Sequence, residues 1–216
     1  MSRSFRPRAV VFDFDGTLID SLSMVLRAIA HGLEPFGSQP EREIFARLGG
    51  PPERFLATMV DDPRHVPAAL RRMMEFHRAN AHLVRPFAGA NQLLRQLQDR
   101  AQLGIWTGRD RKSTDELLAA HQLGDLFATV LCGDDLPTHK PDPAGLREIM
   151  RRLDVGPDET LFVGDADVDV LGGTAAGVAT LLIRNGRTVD ATVAARAWLT
   201  VETPAEALEV VRRSLD

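Results

Sequence analysis

Five short apolar runs, at residues 9–14, 103–106, 129–132, 160–163 and 178–183, constrain this chain more than any other feature. Each reads as a buried strand. Amphipathic stretches at 91–99, 113–121, 142–153 and 168–176 separate most of them, and one at 205–213 closes the chain. Strands alternating with helices imply βαβ units and a parallel sheet. Strands this apolar suit a sheet covered on both faces, so the expected fold class is α/β.

Residues 20–84 break the rhythm. They contain no convincing strand and read as helices at 22–35, 41–48, 52–59 and 67–81. Leu70, Met73, Met74 and His77 recur at helical spacing, as core-packing residues do. This block is expected to be a helical insertion after the first strand. Pro86 and Gly89 mark the return to the α/β part.

Composition excludes several classes. The 216 residues are 44% apolar and 26% charged, close to the globular average, which rules out a disordered chain, a collagen or a disulfide scaffold. A net charge of −4 argues against nucleic-acid binding. Cys132 is the only cysteine and cannot form an internal disulfide. No apolar run approaches the roughly 20 residues of a membrane span, and no apolar h-region marks a secretory signal. The expectation is a soluble cytoplasmic protein. Of the 26 basic residues only Lys112 and Lys140 are lysines, so each goes against the chain's preference for arginine.

Four places carry chemistry. Asp13-Phe14-Asp15-Gly16-Thr17-Leu18 puts two carboxylates at a strand end, where parallel sheets bind ligands. Paired carboxylates there invite a hard cation, most simply Mg²⁺, although such a pair can also be plain loop. Gly164-Asp165-Ala166-Asp167-Val168-Asp169 follows another apolar strand; its acids suit a cation or, equally, a helix start. Trp106-Thr107-Gly108-Arg109 offers a hydroxyl and a glycine N–H for a phosphate oxygen, or a hydroxyl-capped turn. His139-Lys140-Pro141-Asp142-Pro143 is stiffened by two prolines, which could aim Lys140 at a phosphate or an aspartate.

Taken together, these four motifs resemble those of the haloacid dehalogenase superfamily of phosphohydrolases, in its phosphoglycolate-phosphatase-like branch. Asp13 to Thr17 looks like the first motif, Thr107 the second, Lys140 the third, and Gly164-Asp165 with Asp169 the fourth. The resemblance implies a Rossmann-like parallel-sheet core, residues 1–19 and 85–216, with an inserted helical (C1) cap domain, residues 20–84. It implies that Asp13 is the nucleophile and Asp15 the general acid and base. It implies Mg²⁺ held by Asp13, Asp15 through its main-chain carbonyl, and Asp165, with Asp169 orienting a ligand water or Lys140. Thr107, Gly108 and Lys140 would bind the phosphoryl group. Arg109 either reaches a second anionic group of the substrate or faces solvent at a helix start.

The implied activity is hydrolysis of a small phosphorylated metabolite by a monomer or homodimer, with no nucleic-acid or membrane partner. A phosphomutase of the same superfamily commonly has Glu-Asp in place of Gly164-Asp165 and Val in place of Thr17, so both departures favour a hydrolase. Dehalogenases lack the second aspartate, and phosphonate cleavage needs a cap lysine that residues 20–84 do not contain. A non-catalytic phosphate-binding member is the remaining alternative. The cap loop at 48–52 would choose the substrate, with Arg47 and Arg54 either greeting a carboxylate or lying on helix surfaces. His31, His65, His77 and His82 read as surface or cap packing.

Overall fold

The computed structural model describes residues 6–37 and 52–216. The predicted helix at 41–48, Arg47 and the loop residues 48–51 lie outside them, as does the side chain of His82.

Strand β1 (Ala9–Phe12) is wholly buried, and its side chains alternate between two cores. Ala9 and Val11 join one apolar cluster and Val10 and Phe12 the other. The pleat sends successive side chains to opposite faces, so an uninterrupted apolar run requires cover on both. β1 lies between β4 (Gln102–Trp106) and β6 (Thr160–Gly164), parallel to each, with Phe12 beside Ile105 and Val163. β5 (Thr129–Leu131) extends the sheet beyond β4, and β7 (Ala179–Ile183) and β8 (Leu199–Val201) extend it beyond β6. The order is β5-β4-β1-β6-β7-β8, with every neighbouring pair parallel.

Helices α4 (Ala90–Leu97), α5 (Arg111–Ala120) and α9 (Pro204–Ser214) cover one face through leucines such as Leu94, Leu117 and Leu208. Helices α6 (Ala144–Leu153) and α7 (Asp167–Ala176) cover the other. The chain builds outward from β1 to β4 and β5, then crosses back to β6. That reversal beside β1 opens a crevice at the carboxyl ends of the strands, the usual ligand site of such sheets.

The inserted helices are α1 (Leu22–Leu33), α2 (Pro52–Leu56) and α3 (Val66–Asn80). They share their own core of Ala28, Ile29, Leu33, Leu56, Ala69 and Met73. Gly32 is what lets α1 and α3 approach, because a Cβ there would lie 2.7 Å from the Ala69 carbonyl oxygen. At the margins of the insertion, β2 (Ile19–Asp20) pairs antiparallel with β3 (Arg85–Pro86), tying its exit to its return. None of the described helices is long and apolar enough to cross a membrane.

Sequence patterning missed β8 and the one-turn α8 (Ala191–Ala194). β8 is an edge strand with a short apolar run at 197–201, and Trp198 and Leu199 within it are exposed rather than buried as in the central strands. β1 also ends earlier than expected, at Phe12, which leaves Asp13 and Asp15 in the loop beyond it.

Phe162 is fully buried, its ring 5.3 Å from that of Trp106. Phe162→Ala is expected to cost about 3–5 kcal/mol of stability, read from the midpoint of urea unfolding.

Candidate active site

Two side chains are fixed by ladder bonds that run one residue past their strands. The Asp13 N–H donates to the Val163 carbonyl at 2.7 Å, and the Thr107 N–H to the Leu131 carbonyl at 3.0 Å. Asp13 thereby leaves β1 beside β6, and Thr107 leaves β4 beside β5. Gly16 turns the first loop with φ +82°, a conformation costly for residues with a Cβ. A Cβ at Gly16 would also lie 2.1 Å from Asp165 Oδ2, so this glycine brings the first and fourth motifs into contact.

Lys140 reaches the same point from the loop before α6. Its ammonium donates to Asp13 Oδ1 at 2.6 Å and to Asp169 Oδ1 at 2.7 Å, and all three residues are buried. The Nζ also lies 5.0 Å from the Trp106 ring centroid and 5.2 Å from that of Phe162. The other oxygen of Asp169 accepts from the backbone N–H groups of Asp165 and Ala166 at 3.1 and 3.0 Å. Asp169 therefore does both things its position suggested: it caps the start of α7 and it holds the lysine.

Burial pushes the Asp13 carboxyl up to about 7, with Lys140 pulling the other way and the charge of Asp169 adding to the rise. Burial likewise raises Asp165 well above an ordinary carboxylate, despite Arg187, whose Nε lies 2.8 Å from Asp165 Oδ2. That ion pair lacks hydrogen-bond geometry, so Asp165 Oδ2 is buried without a hydrogen bond. Carboxylate oxygens of Asp13, Asp165 and Asp169 lie within 4.8 Å of one another. A buried set of hard oxygen donors, one of them unbonded, fits a divalent cation of the Mg²⁺ kind.

Arg109 faces inward, with only 7% of its side chain exposed. Its Nε donates to Asp15 Oδ2 at 2.8 Å and its Nη2 to Oδ1 at 2.5 Å. Ser21 Oγ donates to the same Oδ1. Burial alone would raise Asp15, but Arg109 and Ser21 outweigh it and hold the carboxyl below its ordinary value. The remaining Arg109 nitrogen, Nη1, lies 3.2 Å from His77 Nε2 on α3. Burial and the Arg109 charge lower the His77 pKa, so the imidazole is neutral and accepts that bond at Nε2.

Thr107 is buried, and its hydroxyl oxygen accepts from the Arg109 N–H at 3.1 Å, leaving the hydroxyl proton to donate elsewhere. Asp110 then caps α5 by accepting from the Ser113 N–H at 3.0 Å. These groups open onto a cavity of about 620 Å³ between the sheet end and the inserted helices. Leu22, Val25, Leu70, Met73 and Met74 make its far wall apolar. Arg54, of the two arginines flanking the predicted substrate loop, is exposed. Asp167 opens α7 as a helix-start acid, and Cys132 is buried with its thiol pushed up to about 11.

The haloacid dehalogenase-like hydrolase family matches residues 10–183, the span that contains all of these groups except Arg187. The chain belongs to that family. A phosphoglycolate phosphatase of Pseudomonas putida is 32% identical over 200 residues, covering 86% of this chain and 74% of that protein. An N-acetylmuramic acid 6-phosphate phosphatase of Pseudomonas aeruginosa is 28% identical over 225 residues, covering 99% of this chain and 98% of that one. A haloacid dehalogenase-like protein of Streptococcus pneumoniae shares the fold with a TM-score of 0.79 at 21% identity, covering 94% of this chain and 98% of that one.

Every site residue expected from the resemblance to the haloacid dehalogenase superfamily lines the one cavity. Three further lining residues were not foreseen. Ser21 lacks a distinguishing pattern, although it follows the first motif closely. His77 was read as packing, because its helical spacing is shared by residues that do pack. Arg187 sits in a stretch with no motif, and only the fold brings it to Asp165.

The raised carboxyls set the pH response of the metal-free hydrolase. Asp13 and Asp165 hold protons more tightly folded than unfolded. Their stabilising contribution is complete below the unfolded value of 3.8 and, for Asp13, lost as pH rises through about 7. Calorimetry in chelator is expected to show Tm nearly level above about pH 8 and rising as pH falls through about 7, and Asp13→Asn to flatten that rise. Below about 6.5 the lowered His77 acts in the opposite sense.

Proposed function

We propose that this chain is a Mg²⁺-dependent phosphatase that hydrolyses a small phosphate monoester through an aspartyl-phosphate on Asp13. The observation that carries this reading is the buried Asp13 carboxylate, held by Lys140 at 2.6 Å and facing the same cavity as Asp15 and Thr107. A cavity of about 620 Å³ suits a small metabolite. The chain's relatives act on different phosphate esters, so the family supplies the chemistry and not the substrate.

In this reading Asp13 and Asp165, with the Asp15 carbonyl, hold the cation, which when bound offsets negative charge where a carboxylate must meet a phosphate. The transferring phosphoryl group is held by Thr107, the Gly108 N–H and Lys140. An Asp13 carboxylate oxygen attacks phosphorus, and the bond to the leaving oxygen breaks as Asp15 gives that oxygen a proton, one it must first take up from water because Arg109 and Ser21 hold it ionised. Asp15 then takes a proton from water as the water oxygen attacks phosphorus. The bond to Asp13 breaks, returning the carboxylate and releasing inorganic phosphate. Asp169 positions Lys140 and holds the turn that carries Asp165. Residues 20–84 act as a cap domain that closes over the core formed by residues 1–19 and 85–216 and keeps bulk water from the phosphoenzyme.

The test is phosphate release from a panel of small phosphate esters, with Mg²⁺ and with chelator. Wild-type turnover is expected to require the metal. Asp13→Asn is expected to fall to background and Asp15→Asn to lose about 10²–10⁴-fold in kcat. Absence of turnover on every ester by a folded protein overturns the proposal.

A further inference from the structure

The geometry points to Arg109 as the residue that selects the substrate, by exchanging the Asp15 carboxylate for a second anionic group placed close to the ester oxygen. This inference rests on the phosphatase reading and deepens it. In the structure, Arg109 spans both Asp15 oxygens, and Ser21 donates to one of them as well. Both oxygens of the carboxyl that must meet the leaving oxygen are therefore engaged by the protein, while 28% of that side chain stays exposed toward the cavity. It becomes available only when the guanidinium lets go.

A buried guanidinium does not let go into an apolar cavity, since an unpaired charge there is strongly disfavoured. On the side of the inserted helices the cavity is lined by Leu22, Val25, Leu70, Met73 and Met74, with the exposed Glu53 the one carboxylate there among the described residues. The other groups near Arg109 are His77, whose neutral imidazole cannot replace an anion, Asp110, which is engaged in capping α5, and Asp13, which is engaged by Lys140. Only the substrate can supply the exchange. A carboxylate or phosphoryl group presents the same oxygen fork that Arg109 now finds on Asp15.

Distance narrows the class further. Arg109 is one hydrogen bond from Asp15, and Asp15 must be one hydrogen bond from the leaving oxygen. The second anion must then lie within a few bonds of that oxygen, as in a 2-phosphoryloxy carboxylate or a diphosphate. A long sugar phosphate with a distant charge does not satisfy this. His77, on the inserted helix α3, holds the third nitrogen of the fork, so the exchange is also felt by the insertion.

The experiment compares 2-phosphoglycolate with its neutral analogue 2-hydroxyethyl phosphate, under Mg²⁺, for wild type, Arg109→Met and Arg109→Lys. Wild type is expected to favour the carboxylate ester at least tenfold in kcat/KM, with part of the preference in kcat because Asp15 is freed. Arg109→Met should bring the ratio close to one, and Arg109→Lys should restore part of it. Wild-type hydrolysis of both esters without preference overturns the role of Arg109 and leaves the phosphatase reading standing. So does a preference that survives Arg109→Met. Hydrolysis of neither, nor of inorganic pyrophosphate, by a protein that turns over another ester of the panel overturns the role of Arg109 and leaves the phosphatase reading standing; no turnover on any ester removes both. Should Arg109→Met not fold, wild type and Arg109→Lys decide alone, since a lysine cannot span both Asp15 oxygens.

Discussion

The ammonium of Lys140 is the interaction on which the site depends. Three aspartates, Asp13, Asp165 and Asp169, bring carboxylate oxygens within 4.8 Å of one another in a buried corner, an arrangement that repels itself. Lys140 answers two of them directly, and Arg187 faces the third. The lysine is itself costly to bury, and the two rings beneath it and its two carboxylates together offset that cost. Taking it away would leave two carboxylates facing each other with no cation between them. The chain's overwhelming use of arginine makes the choice of lysine here chemically pointed: a compact point charge fits between two carboxylates where a planar fork does not.

A second balance is set against the first. Asp13 is pushed toward its neutral form by burial, while Asp15, two residues on, is held ionised by Arg109 and Ser21. Two carboxyls of identical intrinsic acidity are thus driven apart by their surroundings. This resting balance is the reverse of what the proposed chemistry needs, so a cation at Asp13 and the release of Asp15 from Arg109 must exchange the two states before reaction. The difference originates in which strand end each neighbour comes from: Lys140 approaches from beyond β5, and Arg109 from beyond β4.

How much of this was legible in the sequence follows physical lines. The central strands were legible because burial on both faces leaves an apolar run, as in Ala9 to Phe12 or Leu161 to Val163. The edge strand β8 was not, because Leu199 is exposed and needs no apolar neighbours. Asp13, Asp15, Thr107, Lys140 and Asp165 were legible because each follows an apolar run or sits in a stiffened loop. Arg109 was legible as a position but not as a partner; whether it faced solvent or Asp15 depends on a contact across 94 residues. Ser21, His77 and Arg187 belong to the same category. Their roles arise from tertiary proximity, for which a single sequence carries no local pattern.

The placement of β1 has a consequence for how the molecule comes into being. This strand precedes the others of the sheet in chain order, yet its hydrogen-bonding partners are Gln102–Ile105 on one side and Thr160–Val163 on the other. The strand that leads to Asp13 therefore stays unpaired until β4 exists and keeps one open edge until β6 does. Contacts this distant in sequence slow folding, because each must close a long loop before it returns any free energy. The inserted helices can assemble meanwhile, since α1 and α3 share a core of their own. The corner around Asp13 is accordingly incomplete until β6 is in place, and a chain truncated before β6 would keep Lys140 but carry Asp13 without Val163, Asp165 and Asp169.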